Sequence, residues 1–305
     1  MPVFFALLIK VIPLYGNLAL GFVAGKWLHV QRDSIASLMI YIIAPIVFFG
    51  GITKMQLTPA LLFMPALGWL LSLIIGGATY LIARRLYSDG RPNIMAAAAG
   101  TGNNGYFGLP IAMMLFDAQT VGIYLMLVIG VTIYESTIGF YMTAKGQYSA
   151  SDSLRKTLRL PVIYALFGGA AISLSGLSMP AIFYDFLQYF EGTYTVLGMM
   201  IIGLGLSGMR NFSIDVGFTA ILFVARFIAW PLLALGVVWL DQQIFDFYSD
   251  SVRRAVLLIS IMPLAANSVA IAALLKCEPE KTATAVVLST IFAALYVPVM
   301  VALIL

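Results

Sequence analysis

The sequence predicts an all-α membrane protein of ten transmembrane helices, arranged as two inverted five-helix repeats. The prediction depends on the composition, on ten apolar segments of spanning length and on a one-sided distribution of Lys and Arg. Of the 305 residues, 62% are hydrophobic and only 10% are charged, with a mean hydropathy of +1.00. About a quarter of the residues of a soluble domain are charged, because its surface faces water. A chain this poor in charge is expected to face lipid.

Ten apolar segments have the length of a membrane crossing, which is about 20 residues. They cover residues 3–25, 35–52, 60–83, 93–115, 119–143, 160–176, 193–209, 216–240, 253–275 and 282–305. No basic run precedes the first segment and no small-residue cleavage signal follows it. We therefore expect a retained first helix and not a signal peptide.

The positions of Lys and Arg predict an orientation in which both termini lie outside the cell. The connections then predicted to be cytoplasmic hold Lys26, Arg32, Arg84, Arg85, Arg91, Lys145, Arg155, Lys156, Arg159, Arg210, Lys276 and Lys281. The outer connections hold only Lys54, Arg253 and Arg254. This asymmetry follows the positive-inside rule, and one span more or fewer would destroy the alternation.

A basic polar connection at residues 145–156 divides the chain into predicted units 1–150 and 151–305. Each unit contains five predicted spans, so the second unit enters the membrane in the opposite direction to the first. Such inverted repeats are common in secondary transporters.

The fourth and ninth predicted spans contain residues that interrupt helices in the middle of the membrane. The fourth contains Gly100, Gly102, Asn103, Asn104, Gly105, Gly108 and Pro110, and the ninth contains Pro263, Asn267 and Ser268. Glycine and proline disfavour a helix interior, and the freed backbone groups need partners within the lipid. Breaks at matching positions of two inverted halves predict a binding site at the bilayer midplane. The alternative is that both are kinks, with asparagines bonded to neighbouring helices.

We predict that the site is formed by side chains and backbone of these two spans, with one arginine from the eighth. The candidate substrate-binding residues are Asn103, Asn104, Gly105, Pro110, Pro263, Asn267, Ser268 and Arg226. Free N–H groups at the starts of half-helices favour an anionic ligand. The site is expected to contain no metal.

Arg226 and Glu135 fall deep inside predicted spans, where an unpaired charge costs at least a few kcal/mol, whereas Lys10 lies only two turns from the outer end of its span. Arg226 either attracts an anion or has a structural role. Glu135 is a candidate for binding a coupling ion, H⁺ or Na⁺. A structural ion pair between Arg226 and Glu135, or snorkelling of either side chain, is the alternative.

The residues of the chain argue against several other functions. The single cysteine, Cys277, and the single histidine, His29, leave little for hydrolytic or metal chemistry, so we expect no enzyme and no cofactor. No phosphate-binding loop motif is present, and a channel would need polar residues along several spans. The net charge of +4 is too small to indicate nucleic-acid binding.

Two motifs resemble those of the auxin efflux carrier family. Residues 103–110 read NNGYFGLP, with proline seven residues after the first asparagine. Residues 262–267 read MPLAAN, with asparagine four residues after proline. The resemblance extends over the whole chain, including Trp230-Pro231 after a basic residue. Asn104 departs from the family pattern, in which threonine or another small residue is common, and this could alter substrate choice.

The resemblance implies a carrier of small carboxylates, with a scaffold part and a transport part that cross at helices four and nine. It implies that Asn103 and Asn267 contact the substrate and that the protein resides in the cell (inner) membrane. The runner-up is a sodium-coupled symporter of the bile acid type, although the ninth span has no acidic residue beside its break. Gly21 and Gly25, with the small residues 168–171, predict close helix packing within the chain or in a homodimer.

Overall fold

The computed structural model describes residues 2–54, 59–208 and 214–305, and the side chains described exclude those of residues 2–11, 59–62 and 118. Arg210, which contributes to the predicted orientation, lies outside these ranges. All regular secondary structure within them is helical. A single isolated β-bridge joins Gly102 to Leu264. The predicted all-α class is therefore confirmed for the described residues.

Several helices continue through a π-helical turn, in which a backbone N–H binds the carbonyl five residues earlier and not four residues earlier, as in an α-helix. The helices are Pro2–Trp27, Arg32–Leu38 continuing into Ala44–Thr53, Pro59–Leu86, Arg91–Gly100, Leu109–Leu115, Ala118–Tyr134 continuing into Phe140–Lys145, Ala150–Leu158, Pro161–Ser175, Ala181–Ser207, Val216–Val224 continuing into Trp230–Leu240, Asp250–Ser260, Ala266–Leu275 and Pro279–Ile304. The π turns are Met39–Ile43, Asn104–Gly108, Glu135–Gly139, Ala225–Ala229 and Asp241–Phe245. Such turns are frequent at functional sites.

Within the described residues, six helices are long and apolar enough to cross a membrane. The helices 150–158 and 161–175, which meet at a bend of 45°, make a seventh if they count as one span. The fourth and ninth predicted spans each consist of two half-helices, and each half is too short to cross alone. The architecture is therefore that of a multi-pass membrane protein.

The structure differs from the prediction in two places. The seventh helix begins at Ala181 and not at residue 193, because Pro180 starts a helical, aromatic-rich extension that also contains Asp185 and Glu191. These carboxylates lowered the local hydropathy and concealed the extension. A helix, Ala150–Leu158, also begins inside the predicted connection 145–156, and the side chain of Ser149, just before it, accepts a bond from the Asp152 N–H at 3.1 Å.

The helices form two groups, defined by which neighbours they contact most. In the first group, Pro2–Trp27 packs against Ala181–Ser207, and Ala44–Thr53 packs against Pro161–Ser175. In the second group, the helix that begins at Ala118 packs against both broken segments, and Pro59–Leu86 packs against that helix and against the first broken segment. The broken segments therefore share one group and face the other.

Glycines allow the backbones of the first group to touch. A Cβ on Gly21 would lie 2.0 Å from the Met200 carbonyl oxygen, and one on Gly203 would lie 2.0 Å from the Leu18 carbonyl oxygen. A Cβ on Gly169 would lie 2.9 Å from the Phe49 carbonyl oxygen. The predicted small-residue contacts are thus made within the chain, so a homodimer would need another face.

Replacing Gly21 by alanine is expected to destabilise the protein by about 1–3 kcal/mol, because backbone atoms must move to admit the methyl group. Thermal unfolding in detergent checks this as a lowered midpoint. Gly16→Ala is the matched control on the same helix, since nothing lies within 4 Å of its added Cβ. Equal midpoints for the two variants would contradict the packing described above.

Candidate functional site

The first break separates the half-helix Arg91–Gly100 from the π turn that starts at Asn104. The last carbonyls of a helix have no partner within it. Here the Trp230 indole N–H donates to the carbonyl of Ala99, in the last turn, at 2.8 Å, and the Tyr134 hydroxyl donates to the Ala96 carbonyl, one turn earlier, at 3.0 Å. The break is therefore stabilised by side chains from two other helices.

The second break covers residues 261–265, between Asp250–Ser260 and Ala266–Leu275. The Arg226 guanidinium donates through Nη2 to the Ile259 carbonyl at 2.7 Å and through Nε to the Met262 carbonyl. The Leu264 N–H donates to the Ser289 hydroxyl at 3.1 Å. Proline is tolerated here because neighbouring side chains satisfy the backbone groups of the break.

The two breaks are in direct contact, although they lie about 160 residues apart in the sequence. The Asn103 N–H donates to the Pro263 carbonyl at 2.8 Å, and Gly102 forms the antiparallel bridge with Leu264. The hydroxyl oxygens of Thr101 and Ser268 lie 3.5 Å apart. Both segments that the sequence singles out are thus broken, and they meet at their breaks.

A cavity of about 500 Å³ lies beside this crossing, between the two groups of helices. From the broken segments it is lined by residues 102–106 and 265–267, together with Leu109. Its opposite wall comes from helices 44–53 and 181–207, including Phe48 and Tyr194. The volume is within the range of small-molecule sites, about 300–1,000 Å³.

The crossing presents polar atoms that the protein does not satisfy. Asn103 and Asn104 are both 2% exposed, and among the described residues their Oδ1 atoms have no hydrogen-bond partner. Buried polar groups are normally bonded, so such atoms call for a functional explanation. A rotation of either side-chain amide group by about 180° would place its NH2 where the oxygen now lies.

Asn267 joins the two groups of helices through a pair of tyrosines. The Tyr106 hydroxyl donates to Asn267 Oδ1 at 3.2 Å, and Asn267 Nδ2 donates to the Tyr194 hydroxyl at 3.2 Å. The centroids of the two rings lie 4.6 Å apart. A Cβ on Gly198 would lie 2.2 Å from the Tyr106 ring, so this ring lies against bare backbone of helix 181–207. The asparagine therefore sits where the broken segments meet the other group.

Glu135 lies between this cavity and a second, smaller one. It lines the 500 Å³ cavity and also a 40 Å³ cavity bounded by Phe140, Leu160 and Ile271. The smaller volume suits about one water molecule. The Glu135 carboxyl also interacts with the Asn267 side chain. A single carboxyl is thus accessible from two separate spaces.

Four of the predicted site residues do not line the cavity. Pro110 lies in helix 109–115, two residues after the π turn 104–108. Pro263 and Ser268 lie within the crossing itself. Arg226 is 0% exposed and lies behind the crossing, bonded to carbonyls. The alternative of an Arg226–Glu135 ion pair is wrong: among the ion pairs of the described residues Arg226 has no carboxylate partner, and its Nε and Nη2 bind backbone carbonyls.

Several residues of the site were missed from the sequence. Tyr106 lies inside the quoted motif, but nothing in the spacing indicated that its ring would contact Tyr194. Lys54 and Glu191 form an ion pair of 2.8 Å at the half-exposed end of the cavity. A basic and an acidic residue just outside two predicted spans were the available signals, and they belong to different predicted repeats.

Comparisons with known proteins agree with a role in transport. The sequence pattern of the family described as membrane transport protein matches residues 6–301. The chain is also 22% identical over 210 residues to an uncharacterized transporter from Methanothermobacter thermautotrophicus. That alignment covers 68% of this chain and 69% of the archaeal protein.

Proposed function

Because the chain belongs to the membrane transport protein family, which includes the auxin efflux carriers, we propose that it is a secondary transporter of small carboxylates. The observation that carries the proposal is the 500 Å³ cavity at the contact of two broken helices, with unpartnered amide oxygens of Asn103 and Asn104 beside it. Broken helices place backbone polarity at membrane depth only where protein or an aqueous cavity satisfies it.

The chemistry of the cavity favours a small anion with an apolar body. The start of helix 266–275 faces the cavity, and its first N–H groups and positive dipole end favour negative charge. Asn103, Asn104 and Asn267 can donate hydrogen bonds without adding a charge. Phe48 and Leu109 supply apolar surface on the walls. A short carboxylate matches this combination.

We propose that ten crossings form two inverted repeats, 1–150 and 151–305, with both termini outside and the protein in the cell (inner) membrane. Contacts between predicted cytoplasmic connections support the alternation. Arg91 pairs with Asp215 at 3.1 Å, and Lys281 lies 3.8 Å from the same carboxylate. We further propose that the protein is a homodimer in lipid.

The proposed mechanism is alternating access, in which the group carrying the crossing moves against the other group. The predicted outer side holds the half-exposed pair Lys54–Glu191, and the cavity reaches it. On the opposite side, helix 32–38 packs against 266–275, and buried Ile271 and Leu275 close the floor. This arrangement corresponds to an outward-open state.

Flux into liposomes tests the proposed function. The purified full-length protein is reconstituted and given radiolabelled mono- and dicarboxylates of two to four carbons, with amines and neutral amides of equal size as comparison. We expect saturable uptake of at least one carboxylate above protein-free liposomes. Uptake confined to the amines or amides would contradict the proposal.

Charge in the cavity favours coupling of this transport to protons through Glu135. The other charged lining residues, Lys54 and Glu191, neutralise each other, and the hydroxyls of Tyr106 and Tyr194 carry no charge. A carboxylate about 6 Å from ionised Glu135 would be repelled by about 3 kcal/mol at an effective dielectric constant of 20. The anion is therefore expected to bind with Glu135 protonated, and by linkage each stabilises the other.

Glu135→Gln is expected to abolish uptake driven by a pH gradient while retaining exchange of carboxylate for carboxylate. In the wild type, affinity for carboxylate rises as pH falls, because protonation removes the repulsion. In the variant, affinity becomes independent of pH. Parallel flux measurements with an inward proton gradient and under exchange conditions check both expectations.

Asp185→Asn is the control for this prediction, since it removes an exposed carboxylate outside the cavity. It is expected to behave as the wild type. Gradient-driven uptake that persists in Glu135→Gln would assign coupling elsewhere. A requirement for Na⁺ would favour the alternative, a sodium-coupled symporter of the bile acid type.

A further inference from the structure

Arg226 and Trp230 lie one turn apart on the same helix, and each side chain donates hydrogen bonds to the backbone of one break. Trp230 donates to the last turn of the first half-helix of one broken segment, at Ala99. Arg226 donates to the last turn of the corresponding half-helix of the other segment, at Ile259. The guanidinium carbon lies 4.8 Å from the Trp230 ring, so the two groups also contact each other.

The carbonyls that Arg226 binds are suited to a cation. They belong to the C-terminal end of helix 250–260 and to the break that follows, where the helix dipole places negative charge. Nearby carbonyls have other donors, since the Ser260 hydroxyl binds Leu257 and the Ile261 N–H binds Leu258. The carbonyls of Ile259 and Met262 accept from the guanidinium.

Unwound carbonyls in membrane helices commonly coordinate a metal cation such as Na⁺. We infer that Arg226 is a tethered cation, which occupies the carbonyls of the second break in place of a metal ion and positions the crossing for its ligand. The inference rests on the proposed function, since it concerns the coupling ion of that same site. Arg226 is a positioning residue, because it does not line the cavity.

Two further observations support a fixed charge at this position. The guanidinium lies against Gly102, where an added Cβ would be 2.3 Å from Nη2, so the first break leaves room for it. Among the described residues, the Nη1 atom has no hydrogen-bond partner, and the protein provides no carboxylate to neutralise the charge. A second cation at the same carbonyls would be repelled at short range.

The test compares Arg226→Gln, which removes the charge, with Arg226→Lys, which keeps one. The melting temperature of each full-length protein in detergent is measured in NaCl and in choline chloride at equal ionic strength. We expect no difference between the salts for the wild type and Arg226→Lys. For Arg226→Gln we expect a midpoint lowered by about 5 °C in choline, with partial recovery in NaCl or in dilute guanidinium chloride.

Two results would overturn the inference: stabilisation of the wild type by Na⁺, or folded Arg226→Gln that responds to neither Na⁺ nor guanidinium. If Arg226→Gln cannot be purified, the inference is tested by whether Arg226→Lys can be purified as folded protein. Recovery of folded lysine variant supports the inference, and loss of both variants shows that shape and not charge is required.

These measurements need no substrate, so they are independent of the proposed transport. A wild type that moves no carboxylate but melts identically in both salts would contradict the proposed function alone. In flux assays, Arg226→Lys is expected to raise KM by less than about tenfold, because the charge behind the crossing is retained while its geometry changes.

Discussion

Replacing Asn267 by alanine is expected to reduce carboxylate uptake by tenfold or more while leaving the protein folded. The substitution removes the amide that joins Tyr106 and Tyr194 and that faces the cavity. A hydrogen bond to a charged group contributes about 1.5–3 kcal/mol, which corresponds to a loss of roughly 10- to 150-fold. Asn103→Ala is expected to have a similar effect. Initial rates in liposomes, normalised to reconstituted protein, measure both.

The Ser72→Ala variant is the control that distinguishes two causes of lost uptake: damage to the binding site, and removal of any buried polar group. Ser72 Oγ is buried and has no partner among the described residues, like the Oδ1 of Asn103, but it does not line the cavity. We expect wild-type uptake and an unchanged melting temperature for this variant. If Asn103→Ala and Asn267→Ala both transport normally, the crossing is not the binding site, whatever the protein carries.

A methyl group at Gly102 is expected to give the largest loss of stability. The added Cβ would lie 2.3 Å from Arg226 Nη2 and 2.7 Å from Cζ, so the guanidinium must shift, and we expect this shift to weaken its bonds to the carbonyls. Breaking up a buried charged group and its partners costs about 3–5 kcal/mol. Thermal unfolding of Gly102→Ala in detergent measures the effect.

Gly236→Ala is the control for Gly102→Ala, because it lies on the helix of Arg226 and nothing lies within 4 Å of its added Cβ. Its melting temperature is expected to equal that of the wild type. A Gly102→Ala protein as stable as this control would show that Arg226 can leave the break without cost. The positioning role inferred for Arg226 would then be wrong.

The sequence predicted the helical class, membrane embedding and both broken segments, because these depend on local composition. Glycine, proline and asparagine within an apolar run disfavour a continuous helix whatever surrounds it. Asn103, Asn104, Gly105 and Asn267 were named on this basis, and Glu135 was named as a carboxylate inside a span. The structure places all of them at the cavity. Their role in substrate binding remains a prediction.

The position of Arg226 could not be predicted, because it depends on tertiary contacts. The sequence does not favour either of two positions for an arginine deep in a span: facing the cavity, or paired with a carboxylate. Which carbonyls a break frees, and which neighbour reaches them, is decided by packing of helices far apart in the chain. The same holds for Trp230 and for the tyrosines that contact Asn267.

The bond from the Asn103 N–H to the Pro263 carbonyl joins main chain to main chain. Its formation does not require any particular side chain at residue 103, and a proline carbonyl accepts as well as any other. Replacements at Asn103, Asn104, Tyr106 or Asn267 can therefore reshape the cavity while this junction persists. Substrate selectivity depends on side chains that line the cavity, whereas the crossing is held by main-chain atoms. A related protein could therefore bind a different substrate without a change in this part of the fold.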